Sequence, residues 1–170
     1  ETERASGYVL AHRFPLFHRC NRCGVLCRLK KSSDQVTCNH KYSLREGLEP
    51  CGSLKQDWQK GTLEPVRFIS KCEDGHLHDF SWVEFKQLSC DGACKTHTNF
   101  GNYESIYYLE ETAQGDFFKS IKIHCRQCKK STTLDKINRA IRKINDEESG
   151  EESKGELEPA LRDLFKCKGW

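Results

Sequence analysis

Eleven cysteines in a chain of 170 residues constrain this protein more than any other feature. Eleven is odd, so the thiols cannot all pair with one another inside one chain. Two pairs have Cys-x-x-Cys spacing, Cys20/Cys23 and Cys125/Cys128. That spacing suits two thiolates on neighbouring corners of one tetrahedral ion. The opening residues do not read as a signal peptide, and no apolar run is long enough to cross a membrane. A secreted disulfide framework is therefore disfavoured, and zinc in a reducing, cytoplasmic compartment is expected. Composition points the same way. Only 36% of residues are hydrophobic and 31% are charged, which is lean for a core of this length. Bound metal would supply the missing cross-links.

Zinc also alters the charge balance. The formal net charge is +3 with neutral thiols. Four thiolates around one Zn²⁺ carry a net −2, so two such sites would bring the chain to about −1. Global charge thus makes no case for nucleic acid, and only local patches do. His12–Lys31 holds six Lys/Arg and no acid. Asp116–Lys143 holds nine Lys/Arg against two Asp, and Asp146–Glu158 holds seven acids against one lysine. The acidic stretch can fold back on the basic one and screen it. Methionine is absent even at position 1, so we expect a domain excised from a longer protein.

Taken in order, residues 1–12 lack periodicity and read as a mobile lead-in. Arg13–Phe17 is extended and leads to Cys20-Asn21-Arg22-Cys23-Gly24. Glycine after the second cysteine suits a knuckle, where the tight turn aims backbone N–H groups at sulfur. Cys38 and Cys51 complete a four-ligand set with Cys20 and Cys23. His40 substitutes if Cys38 points away. Cys27 is left over, as a small apolar filler. Ser53–Thr62, with Trp58 inside it, is a polar loop or short helix.

Pro65–Trp82 is the centre of the chain. Val66–Ile69 reads as a strand, Asp74-Gly75 as a turn between Cys72 and His76, and Asp79 as the cap of a short helix through Leu88. Phe80 and Trp82 belong to the core. Cys90 and Cys94 follow in a loop reaching Phe100, with His97 beyond them. Ser105–Leu109 and Ser120–His124 read as a β-hairpin running into the second knuckle. Leu134, Ile137, Ile141 and Ile144 predict an amphipathic helix over Leu134–Asn145. Asp146–Gly155 is an acidic linker, and a second short helix starts near Pro159, burying Leu161, Leu164 and Phe165. The fold expected is α+β. It is one small zinc-stabilised domain over residues 1–170, with short antiparallel strands, zinc knuckles and one or two C-terminal helices.

The order RFPLFHRCNRCG, Cys-Gly, LEPVRFISKCEDGHLHDFSW, CRQC and terminal CKGW resembles the DrmB family of the DISARM anti-phage system. It also resembles related cysteine-rich regions of helicase-associated defence and repair proteins. Arg67-Phe68, Cys72, Gly75-His76-Leu77, Asp79-Phe80 and Trp82 match the central family pattern. Ser81 stands where that family usually has proline, and His78 falls at a variable position. The resemblance implies a zinc-binding accessory region beside a helicase-type motor in phage defence or DNA processing. It also places Cys167 with Cys125 and Cys128, the fourth ligand being Cys90 or Cys94. Two other sets stay open: Cys72, His76, Cys90 and Cys94, or Cys72/His76 with Cys125/Cys128. Two zinc ions are expected, or three.

No catalytic pattern is complete. After His76-x-His78-Asp79, Phe80 and Ser81 stand where a binuclear hydrolase needs Asp and His. No histidine has glutamate two residues on, as a zinc deaminase requires. There is no P-loop, nucleophile elbow or dinucleotide fingerprint. The chain is therefore expected to be no enzyme and to take no small-molecule substrate. It is expected to touch no membrane and to dock a helicase- or nuclease-type protein. Arg22, Arg28, Lys129, Lys130 and Arg139 are its candidate DNA-phosphate contacts.

Overall fold

Short strands of three to five residues build this chain. The computed structural model describes residues 13–29, 35–43, 47–72, 74–90, 106–110, 117–139 and 167. Strand β1 (Phe17–Cys20) is the middle of a three-stranded antiparallel sheet, between β2 (Leu26–Arg28) and β3 (Leu63–Pro65). Strands β4 (Ile69–Lys71) and β5 (Leu77–Asp79) form a hairpin, followed by helix α1 (Trp82–Ser89). A second three-stranded sheet has the order β6-β7-β8, with β6 Ile106–Glu110, β7 Ile121–Cys125 and β8 Ser131–Thr133. A single helical turn, α2 (Phe117–Ser120), feeds β7. This is the α+β arrangement of short antiparallel strands and few helices that the sequence predicts.

The two three-stranded sheets repeat one design. In each, the middle strand runs into a Cys-x-x-Cys turn and returns as its partner. In the first, Cys20 N–H donates to Val25 O and Gly24 N–H to Cys20 O, both at 2.9 Å. In the second, Cys125 N–H donates to Lys130 O and Lys129 N–H to Cys125 O, again at 2.9 Å. Both turns need a left-handed residue just after the second cysteine. Gly24 supplies it with φ 74°, and Lys129 with φ 61°. Only the first turn carries the glycine that marks such a site in a sequence.

The core lies between the sheets. Phe17 and Leu26 come from the first, and Ile106, Ile121 and Ile123 from the second. Phe80, Trp82 and Phe85 fill the space between them, all 0–1% exposed. On β7 the inward residues alternate, Ile121, Ile123 and Cys125, as a strand with one buried face requires. Phe80 meets Phe68, Trp82 and Phe85 edge-on at ring separations of 5.3, 4.8 and 5.7 Å. Edge-to-face aromatic pairs of this kind add about 0.5–1.5 kcal/mol each to simple burial.

Two expectations for the central stretch are corrected. Val66–Ile69 is not one strand. Val66 N–H donates to Phe17 O at 2.9 Å, continuing the first sheet, while Ile69 opens the β4–β5 hairpin. The chain changes sheets here, and Phe68 packs against the core. Asp79 is not a helix cap. It ends β5, and its carboxylate accepts the Leu16 N–H at 3.0 and 3.1 Å and the Phe17 N–H at 3.5 Å. The helical ladder starts from Ser81 O, which accepts Phe85 N–H at 2.9 Å.

Arg13–Phe17 is not extended throughout: Arg13–Leu16 is a bend with a cis Phe14–Pro15 peptide, and the strand begins at Phe17. Other segments follow more closely. Ser53–Thr62 is framed by single 3-10 turns at Cys51–Ser53 and Asp57–Gln59, with Trp58 79% exposed. Residues 135–139 are helical, and Leu134 and Ile137 are fully buried. The remainder of that predicted helix lies outside the described residues. So do residues 1–12, the loop with Cys94 and His97, the acidic linker and the second C-terminal helix. Among the described residues, no helix is long and apolar enough to cross a membrane.

Candidate metal centres

Cys20, Cys23, Cys38 and Cys51 converge, with all four sulfur atoms within 4.8 Å of one another. The β1–β2 turn presents Cys20 and Cys23. Cys38 is drawn in because its N–H donates to Gly61 O at 2.8 Å, beside β3. Cys51 starts a 3-10 turn whose Gly52 N–H reaches His40 O at 2.8 Å. The four thiols are 0–2% exposed and are packed with Val25, Leu29 and Leu63. Sulfur separations of 3.8 Å (Cys20–Cys51) and 3.7 Å (Cys23–Cys38) decide what they can do. A disulfide needs about 2.05 Å. Two thiolates on one tetrahedral zinc at about 2.3 Å stand about 3.8 Å apart. The pocket therefore has the dimensions of a closed tetrahedral site.

Its electrostatics agree. Hydrogen bonding from Cys23, then Cys38, holds the Cys20 thiol far below its ordinary range. The contact with Cys20 pushes Cys23 and Cys38 up, and burial adds to this. Among Cys20, Cys23 and Cys38, charge on the first therefore disfavours charge on the other two. A divalent cation removes that conflict. The Cys23 N–H points at Cys20 Sγ, 3.4 Å away. Arg22 donates to Glu49 O and lies 3.8 Å from Cys51 Sγ, so its charge faces the cluster. His40 is not needed as a substitute ligand. It is buried and its Nδ1 is 2.6 Å from Tyr42 O. Cys27 packs against the cluster from outside, with its thiol 3.7 Å from His18 O.

A second cluster joins Cys90, at the end of α1, to Cys125 and Cys128 of the second knuckle. Cys90 and Cys125 are each 1% exposed, and the Cys90 and Cys128 sulfur atoms are 3.4 Å apart. Cys94, the further candidate from the same loop as Cys90, lies outside the described residues.

The third cluster corrects the expected position of Cys167. It joins Cys72, His76 and His78, not the second knuckle. The β4–β5 hairpin explains the first three. Cys72 N–H donates to His76 O at 3.1 Å across its turn, where Gly75 has φ 83°. His76 and His78 are two residues apart, so an extended chain presents both on one face. His78 is absent from the ligand sets expected from the sequence, although that alternation is visible in it. The sets joining Cys72/His76 to Cys90/Cys94 or to Cys125/Cys128 do not form among the described residues.

Arg126, inside the second Cys-x-x-Cys, stacks on the Tyr42 ring with its guanidinium carbon 3.2 Å from the centroid. This contact ties the two knuckle regions together, and nothing in the spacing announces it. Of the candidate phosphate contacts, Arg139 is paired with Asp135 at 3.1 Å. Arg22 is turned toward the first cluster. Arg28, Lys129 and Lys130 are exposed.

These features define a class: a small α+β domain whose cysteine clusters could hold metal. More particularly, the chain belongs to the family described as Domain of unknown function (DUF8724), which it matches over residues 2–167. No curated protein and no solved structure matches it.

Proposed function

We propose that this chain is a structural zinc module, without catalysis of its own, that acts as an accessory piece beside a helicase- or nuclease-type partner. The carrying observation is the Cys20/Cys23/Cys38/Cys51 pocket, whose sulfur separations of 3.7 and 3.8 Å suit one tetrahedral ion. A buried, all-thiolate set leaves no open position for water, which supports a structural role. A second zinc is held by Cys90, Cys125 and Cys128. Elemental analysis of the full chain tests this. Cys51→Ser should remove one zinc per chain and lower thermal stability sharply. Retention of the full zinc content would sink the assignment.

The partner reading is supported by the likeness of Arg67–Trp82 to the DrmB pattern, in a phage-defence or DNA-processing setting. A DNA role falls to Arg28, Lys129 and Lys130, the exposed candidates. Engagement of Arg22 and Arg139 by protein groups favours the docking scaffold over a DNA-binding surface. A salt titration with duplex and single-stranded DNA separates the two. Phosphate contacts should give binding at low salt that weakens steeply as salt rises. No binding at low salt leaves the scaffold.

A further inference from the structure

We propose that Cys72, His76, His78 and Cys167 form a further zinc site, which fastens residue 167 to the β4–β5 hairpin. Four potential ligand atoms, Cys72 Sγ, His76 Nδ1, His78 Nε2 and Cys167 Sγ, lie within 4.8 Å of one another. The sulfur–nitrogen separations are 3.4 Å for Cys72–His76, 3.6 Å for Cys167–His76 and 3.5 Å for Cys167–His78. Zinc bonds of about 2.3 Å to sulfur and 2.0–2.1 Å to nitrogen, at tetrahedral angles, put such pairs about 3.6 Å apart. A hydrogen-bonded cluster alone has no reason to bring one exposed thiol to both imidazoles at that spacing.

The site differs in kind from the buried pocket. Two thiolates balance the charge of Zn²⁺, so the complex is neutral, whereas four thiolates leave −2. Binding releases two protons, one from each thiol, and both imidazoles bind in neutral form. The ligands are half-buried, and Cys167 is exposed. Water and chelators therefore reach this ion more readily than one sealed among Cys20, Cys23, Cys38 and Cys51. The ion closes a span of 91 residues between His76 and Cys167. Metal occupancy thereby governs whether the end of the described chain stays on the hairpin.

Zinc content and thiol alkylation of the full chain test the proposal. His78→Ala and Cys167→Ala should each lose one zinc per chain, and each should keep the cobalt spectrum of the buried cysteine sites. In the wild type, zinc should protect Cys167 from iodoacetamide. A brief weak-chelator treatment should expose Cys167 and Cys72 while Cys20 and Cys51 stay protected. Equal alkylation of Cys167 with and without zinc, or unchanged zinc content in both variants, overturns the proposal. Loss of zinc in Cys51→Ser but not in Cys167→Ala would leave the buried site standing and this one refuted. The alkylation arm needs no variant to fold.

Discussion

Single residues decide how well the knuckles are made. Lys129 takes the left-handed conformation, φ 61°, that Gly24 takes at the equivalent point with φ 74°. That conformation costs a side-chain-bearing residue about 1–2 kcal/mol. Glycine removes the cost but loses about 0.5–1 kcal/mol to its freer unfolded state. Lys129→Gly should therefore raise stability by roughly 0.5–1 kcal/mol, measured by urea unfolding, with zinc content unchanged. Gly61 makes the opposite case. A Cβ there would fall inside contact distance of Cys20 Sγ and 2.7 Å from Arg22 Cβ. Gly61→Ala should crowd the first cluster and destabilise the chain by about 1–3 kcal/mol, with slower zinc uptake. Neither effect is legible in the sequence, because Gly61 sits outside any cysteine motif and Lys129 looks like surface charge.

Elements are joined by a few polar contacts between short strands. Asp79 is the clearest, since its carboxylate caps the Leu16 and Phe17 N–H groups at the start of β1. Asp79→Ala leaves those donors without their acceptor and should cost about 1–3 kcal/mol in a denaturant titration. Asp79→Asn keeps one acceptor oxygen and should recover part of that loss. The sequence misleads here because aspartate before an apolar run is also a helix-start signal. A helix cap would accept from N–H groups a few residues on, whereas the donors its carboxylate serves lie 62 and 63 residues away. Elements with their own periodicity are legible in the sequence. The β6–β7 pairing and the buried Leu134 and Ile137 follow from local alternation and helical spacing.

At the scale of the whole molecule, the apolar core and the sulfur clusters divide the work. Among the described residues, the main core has no cysteine in it, and buried thiols gather into clusters of their own. Strands of three to five residues with so little core should not hold together without metal. Prolonged treatment with a strong chelator should abolish cooperative thermal unfolding and the near-ultraviolet signal of buried Trp82; an unchanged melting curve would contradict that. The first cluster was legible because its four cysteines fall within one stretch and the first pair marks the turn. Half of the third was, in the Cys72/His76 pair; it also needs His78, on a strand, and Cys167, whose place no spacing rule gives.

The separations along the chain also bear on how the protein assembles. The first cluster spans 31 residues between Cys20 and Cys51 and the second 38 between Cys90 and Cys128, while the third joins His76 to Cys167, 91 residues on. Loop-closure entropy makes the longest of these only about 1 kcal/mol harder to close than the shortest. That is small for final stability, but distant contacts form late. A chain emerging from the ribosome would fill its first pocket while most of the domain is still unmade, and fasten residue 167 last. Zinc supplied during synthesis should therefore give more folded protein than the same zinc added afterwards, measured as the yield of zinc-loaded chain.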